Sequence, residues 1–251
     1  MTSISAYAVF AVLAFVAAYV QTLTGFAFGL LLMGGVAVTG LVPLPEAAIV
    51  ISLLTLANAG IVLARGWRDI ALKPFLLSLA GALPMIVLGY ALLELLASSS
   101  LSILRILLGS AIILSSLQLI RRSSPLAHQS HGAVFIVFGA LGGIMGGLFS
   151  TAGPPLVFQF YRQPLPHSVI RETLVAIFSL NSFFRLGLVA ANGDWHNHAF
   201  LWALAGLPAV LVSTYLARRW PPQISPKALR FMVFVLLLFS GIALIAPNIT
   251  L

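Results

Sequence analysis

Gly142-Gly143-Ile144-Met145-Gly146-Gly147-Leu148-Phe149-Ser150-Thr151-Ala152-Gly153-Pro154-Pro155 lies inside apolar sequence, yet it is dense in glycine and carries a hydroxyl pair followed by two prolines. Glycine lets a backbone or a ligand come close, and proline can begin a helix but not continue one. The stretch therefore reads as a break, with one helix ending near Phe149 and another beginning near Pro154. Within a bilayer a break leaves backbone polar groups unsatisfied, so it persists only against protein or a cavity. The competing reading takes the glycines as close helix-packing contacts.

Composition favours the membrane. Of 251 residues, 61% are hydrophobic and 7% charged, more apolar surface than a soluble domain of this length can bury. The net charge of +8 would suggest nucleic acid in a soluble chain. Here the basic residues fall in short loops between apolar runs, which points to orientation in the bilayer and to no nucleic-acid partner. With no cysteine, disulfides, thiol chemistry and cysteine-ligated metal are excluded. The N-terminal Met1-Thr2-Ser3-Ile4-Ser5 has no basic region, and Tyr7 to Val20 continues into further apolar sequence. It reads as a first span and not as a cleaved signal.

Apolar runs separated by polar or Pro/Gly breaks predict ten segments, at 5–22, 26–42, 46–64, 74–95, 100–120, 132–149, 154–163, 168–191, 198–217 and 230–246. The two halves, 1–125 and 126–251, resemble each other. Leu79-Ala80-Gly81 matches Leu204-Ala205-Gly206, Tyr90 matches Tyr215, Leu104-Arg105 matches Leu229-Arg230 and Ser115 matches Ser240, always 125 residues apart. With insertions, Thr22-Leu23-Thr24-Gly25 lies over Ser150-Thr151-Ala152-Gly153, Leu44-Pro45 over Leu165-Pro166, and Trp67 over Trp195. Four loop regions (Arg65, Arg68 and Lys73; Arg121 and Arg122; Arg162 and Arg171; Arg218, Arg219, Lys227 and Arg230) hold 11 of the 13 basic residues. Ten crossings put all four on one side, the cytoplasmic one, and both termini outside. The opposite loops carry Glu46, Glu94 and Asp194. Five segments per half is an odd number, so the second repeat is inverted, and re-entrant hairpins at the front of each half would leave that parity unchanged. The expected fold is thus an all-α polytopic membrane protein of about ten transmembrane segments, some short or broken, in two inverted five-segment repeats.

Inverted repeats place the tip at Gln21-Thr22-Leu23-Thr24-Gly25-Phe26 and the tip from Ser150 to Pro155 near one another, each followed by a helix start. The unpaired N–H groups and positive dipole end of such a start attract an anion. Thr22, Thr24, Ser150 and Thr151 are candidate hydroxyl donors, Gln21 and Gln159 candidate amide donors, and Gly25, Phe26, Gly153 and Pro154 shape the tips. The alternatives are that each hydroxyl bonds back to its own helix and that Phe26 and Phe28 are packing. Asn58 and Asn181 occupy similar places in the two halves, as interhelical bonds or as walls of a site. Arg185, inside a span, would help hold an anion or would snorkel to the outer surface, and Arg105 is nearer its span's end. Arg171 and Glu172 flank the inner mouth or are solvated loop residues. His128, His131, His196 and His198 fall in predicted loops without a metal-site pattern. There is no Walker motif or nucleophile elbow, so neither an enzyme nor a cofactor is expected.

The chain resembles the TauE/SafE sulfite exporter family through Thr24-Gly25-Phe26-Ala27-Phe28-Gly29 and Gly146-Gly147-Leu148-Phe149-Ser150-Thr151-Ala152-Gly153-Pro154-Pro155. That resemblance implies a secondary carrier in the bacterial inner membrane for sulfite, sulfoacetate or another organosulfonate, with export the expected direction. Its expected partners are a small anionic substrate, the lipid bilayer and, as an open assembly state, a second copy in a homodimer. An anion channel, or an assembly subunit without transport, is the alternative. No acidic residue sits clearly mid-membrane, and a proton-coupling residue is not identified.

Overall fold

The structure, a computed structural model, describes residues 4–120, 126–195, 197–221 and 225–249. Arg121, Arg122 and His196 lie outside them, as does the stretch before the expected repeat boundary. The described residues form ten α-helices and one 3-10 turn. The helices are α1 (Ile4–Thr24), α2 (Phe28–Thr39), α3 (Leu44–Gly66), α4 (Leu72–Ser99), α5 (Leu101–Ile120), α6 (Gly132–Phe149), α7 (Gly153–Tyr161), α8 (His167–Asn192), α9 (Asn197–Arg219) and α10 (Pro226–Ile249). Each expected segment coincides with one helix, its ends within four residues. Seven helices are long and apolar enough to cross a membrane: α1, α3, α4, α5, α6, α8 and α9. At 1.5 Å per residue, α2 is roughly 18 Å long and α7 roughly 13 Å, each short of a ~30 Å core.

The short helices are the returning arms of two hairpins. On α6 and α7, Phe135 meets Phe160 with ring centroids 5.5 Å apart, and a Cβ on Gly142 would contact Leu156. The two helices are antiparallel, and Leu126 N–H donates to Arg162 O at 2.8 Å where their outer ends come together. The α1–α2 pair is built alike, with a Cβ on Gly35 of α2 meeting Leu13 of α1. Equivalent hydrogen bonds close the two turns, from Gly25 N–H to Gln21 O at 2.6 Å and from Ser150 N–H to Gly146 O at 2.9 Å. Both turn residues are left-handed, with φ of 81° at Gly25 and 54° at Ser150. By conformation Gly25 therefore corresponds to Ser150, at the 125-residue spacing found elsewhere.

Long helices pack around these hairpins. α4 lies along α6, α1 along α9, α5 along α10, and α3 against both α8 and α9. On α6 the glycines form two stripes with different duties. A Cβ on Gly139, Gly143 or Gly147 would collide with the carbonyls of Ser78, Ala82 or Ile86 on α4, so this stripe is a seam of close backbone contact. Gly142 and Gly146 point instead towards α7 and the break. The packing and break readings of the glycine-rich stretch are both correct, each for a different face of one helix. Pro84 and Pro208 are accommodated inside α4 and α9, as bilayer helices allow when neighbours satisfy the freed groups.

Helix directions follow from named contacts. Ser78, Ala82 and Ile86 pair in order with Gly139, Gly143 and Gly147, so α4 and α6 run parallel. Ala71 N–H, just before α4, donates to Thr173 Oγ1 near the start of α8, while Gly66 at the end of α3 faces Glu172. Helices α4, α6 and α8 thus begin at the end where α3 finishes. Tyr7 and Phe10 of α1 pack against Trp202 of α9, tilted and edge-on respectively, and Ser213 of α9 donates to Phe15 O, so α1 and α9 run together. The two hairpins open towards opposite ends of the molecule.

Candidate functional site

The two breaks meet. A Cβ on Gly29, one residue into α2, would lie 2.8 Å from Thr151 Cβ and 3.0 Å from Ser150 O. At this junction Gln21, Ala27, Gly29, Thr55, Gly146, Ser150, Thr151, Ala152, Gly153, Phe178, Asn181 and Ser182 line a tight, partly open cavity of about 20 Å³, room for about one water as it stands. No ionisable side chain is among them. The N-terminal ends of α2 and α7 are both at its wall, and neither Ala27 nor Ala152, their N-cap residues, can supply a side-chain cap. The first N–H groups of α2 (Phe28, Gly29 and Leu30) are the orphan donors that a cap or ligand satisfies. In α7 the second and third positions are Pro154 and Pro155, so Gly153 alone of its first three residues keeps an N–H. Two positive dipole ends thus face the cavity, α2 with more donors.

The expected hydroxyl donors are mostly spent within the protein. Thr22 Oγ1 donates to Ala18 O and Thr24 Oγ1 to Val20 O, each at 2.7 Å, so both bond back to their own helix. Ser150 Oγ lies 2.6 Å from Ser52 Oγ. Ser52 gives its proton to Ala48 O, so Ser150 donates to Ser52 and turns only lone pairs elsewhere. Among the four hydroxyls Thr151 remains for a ligand. Gly25 is a packing point, since a Cβ there would lie 2.8 Å from Arg171 Cα. Phe26 packs edge-on against Tyr161 at 5.9 Å, Phe28 is fully buried, and Tyr161 Oη donates to Thr24 O. Gln159 is buried with Nε2 unpaired among the described residues, but neither it nor Pro154 lines the cavity.

The asparagines divide into two roles. Asn58 Oδ1 accepts from Gln21 Nε2 at 2.8 Å, and its Nδ2 donates to Thr22 Oγ1 at 3.2 Å and Thr214 Oγ1 at 2.7 Å. It is an interhelical bolt joining α1, α3 and α9. Asn181 stands 14 residues after the proline-capped start of α8, as Asn58 does in α3. It is 4% exposed, lines the cavity, and neither amide atom finds a partner among the described residues. The cause is legible. Gly146 of α6, the residue beside Asn181, offers no side chain: a Cβ there would lie 4.0 Å from Asn181 Nδ2.

Arg185 is 1% exposed and does not snorkel. Its Nε donates to Gly147 O at 3.1 Å, and its guanidinium lies 5.6 Å from the Tyr90 ring centroid. It caps the C-terminal end of α6, where a cation offsets the helix dipole. One turn beyond Asn181 on α8, it holds the break in place instead of lining the cavity. Tyr90 Oη in turn donates to Asp194 Oδ2. At the opposite end Glu172, also 1% exposed, accepts from Arg171 Nη2 at 2.8 Å and lies 3.9 Å from Arg218 Nη2, so it is a buried pair and not a solvated loop residue. Ala27, Gly29, Thr55, Gly146, Ala152, Phe178 and Ser182 complete the cavity without having been singled out. Phe178 is one turn before both Asn181 and Ser182, and Thr55 is one turn before Asn58, a signal that was available.

Two helical hairpins meeting at a polar cavity lined by no ionisable side chain, inside a bundle of apolar helices, define a multi-pass membrane protein of the transporter type. The profile of the sulfite exporter TauE/SafE family matches residues 10–244. A protein of Cupriavidus necator named as a probable sulfite/organosulfonate exporter TauE is 37% identical over 232 residues, 92% of this chain and 91% of its own. The chain belongs to the TauE/SafE sulfite exporter family. No solved structure matches it.

Proposed function

We propose that the protein is a secondary carrier that exports a small sulfur oxyanion or organosulfonate across the bacterial inner membrane. The observation that carries this is the cavity where two uncapped helix starts meet Asn181 and Thr151 without a fixed charge. Dipole ends and neutral donors hold an anion and also let it go. The family and its sulfite/organosulfonate relative supply the substrate class. Transport proceeds by alternating access, the two hairpins and their helices rocking about this cavity.

The halves 1–125 and 126–251 are inverted repeats in this reading. Support comes from paired packing (α4 with α6, α1 with α9), from hairpins that open in opposite directions, and from the shared 125-residue spacing of the turns. The side bearing Arg68, Arg162, Arg171 and Arg218 is cytoplasmic and both termini are periplasmic. A homodimer is compatible with the exposed apolar faces of α5 and α10.

Counterflow in proteoliposomes tests the function. Saturable efflux of labelled sulfite or sulfoacetate, accelerated by substrate on the other side, is expected. Linear flux would mean a channel, and absence of flux for both anions would remove the substrate assignment.

A further inference from the structure

We propose that Asn181 selects the singly protonated, monoanionic form of the substrate, hydrogen sulfite over the sulfite dianion, so that the transported species carries its own proton. This rests on the proposed carrier function and concerns which form of the anion the same cavity accepts.

Two independent features converge on a monoanion that also donates. The first is hydrogen-bond pattern. A carboxamide presents a donor pair on Nδ2 and an acceptor on Oδ1, and both Asn181 atoms are buried and unpaired among the described residues. A ligand that satisfies the pair offers a bare oxygen to Nδ2 and an O–H to Oδ1. Hydrogen sulfite in its hydroxyl form has both. The sulfite dianion and an ionised sulfonate have only acceptor oxygens, so with them Oδ1 stays buried without a donor, which is the costly arrangement. In the other half, Gln21 Nε2 occupies Asn58 Oδ1, so that amide has no such demand.

The second feature is charge. No ionisable side chain lines the cavity. The buried Arg185 charge, one turn from Asn181, lies behind the wall against the C-terminal end of α6 and the Tyr90 ring, and the wall itself presents the starts of α2 and α7, each equivalent to roughly half an elementary charge. Together they match about one negative charge and leave a dianion undercompensated in a low-dielectric setting. The opposing C-terminal end of α6 is turned onto Arg185, and Thr24 O at the end of α1 accepts from Tyr161 Oη.

A carboxylate in the cavity is then unnecessary for moving a proton with sulfite. The proton enters on the substrate oxygen and leaves with it, and no protein group changes protonation state. A simple alkanesulfonate such as methanesulfonate, which has no second ionisation, travels by the same cavity without a proton.

The test is the pH dependence of KM for sulfite and methanesulfonate in proteoliposomes, between pH 6 and pH 8.5, with protein-free vesicles subtracted. KM for total sulfite should rise about tenfold per pH unit above sulfite's second ionisation, because only the competent fraction binds, while KM for methanesulfonate stays flat. In Asn181→Leu the preference for sulfite over methanesulfonate at the lower pH should fall by about tenfold, the worth of one buried hydrogen bond. A sulfite KM that is flat, or that follows methanesulfonate across the range, overturns the proposal even if both anions are carried. No flux of either anion overturns the carrier reading beneath it. The wild-type profile decides which form is carried without any variant having to fold, and an unchanged preference in folded Asn181→Leu overturns the assignment to Asn181.

Discussion

Replacing each asparagine by leucine should have opposite consequences for stability. Asn58→Leu removes the bonds to Gln21 Nε2, Thr22 Oγ1 and Thr214 Oγ1. At about 0.6 kcal/mol for an interhelical bond in a bilayer protein, three amount to about 2 kcal/mol. Thr22 and Thr214 keep their own helix carbonyls as acceptors and lose little more. Gln21 Nε2 loses a buried acceptor, which brings the expected loss to about 3–4 kcal/mol. Asn181→Leu removes two polar atoms that have no partner among the described residues and supplies apolar volume of similar size. Its expected effect is between zero and a gain of about 1–3 kcal/mol. Reversible SDS-driven unfolding of the purified proteins measures both. Equal destabilisation by the two substitutions would refute the division of roles, because it would mean that Asn181 is bonded within the protein and is not a wall of the site.

The glycine stripes predict a similar split. Gly143→Ala places a Cβ against Ala82 O across the α4–α6 seam and should prevent stable folding, read as loss of monodisperse protein in detergent. In Gly153→Ala the new Cβ would be 3.6 Å from Leu30 Cδ1 and 3.7 Å from Thr151 Oγ1, so stability should hold while KM for the anion rises. Gly66→Ala drives a Cβ into the Glu172 carboxylate. It should destabilise by about 1–3 kcal/mol, and its effect combined with Glu172→Ala should be less than the sum of the two, measured as a double-mutant cycle. Arg185→Gln removes the charged donor to Gly147 O and should lower unfolding stability by about 1–3 kcal/mol, with transport loss tracking the loss of folded protein.

Segment positions were readable because apolar runs and Pro/Gly breaks are local signals. Pro43 and Pro166 mark the starts of α3 and α8, and both precede helices at matching φ and ψ. What could not be read locally was which polar group another helix would satisfy. Thr22 and Thr151 look equally available in sequence, yet one bonds to Ala18 O and the other faces the cavity. Ser150 spends its hydroxyl donor on Ser52, a residue 98 positions away. Arg185 illustrates the same limit, since its distance from the helix end allowed snorkelling, whereas the exposed end of α6 claimed it.

An uncharged cavity also bears on what drives export. A site with a buried arginine would hold its anion tightly and need a second event to release it. Here the guanidinium nearest the site stands outside the cavity lining, with Nε on Gly147 O and Nη1 buried without a partner among the described residues, and only dipole ends and neutral groups line the cavity. If the carried species is a monoanion and no protein group is co-titrated, each turnover moves one negative charge. An inside-negative potential then favours outward movement by about 2.3 kcal/mol per 100 mV, equivalent to roughly a fiftyfold concentration ratio. Export would need no separate coupling ion. Vesicles clamped with potassium and valinomycin decide this: efflux of methanesulfonate should accelerate as the interior is made negative and slow when the sign is reversed. Efflux indifferent to the potential would show that a compensating charge moves with the anion, and the absence of an ionisable side chain from the cavity wall would then not describe the whole transport cycle.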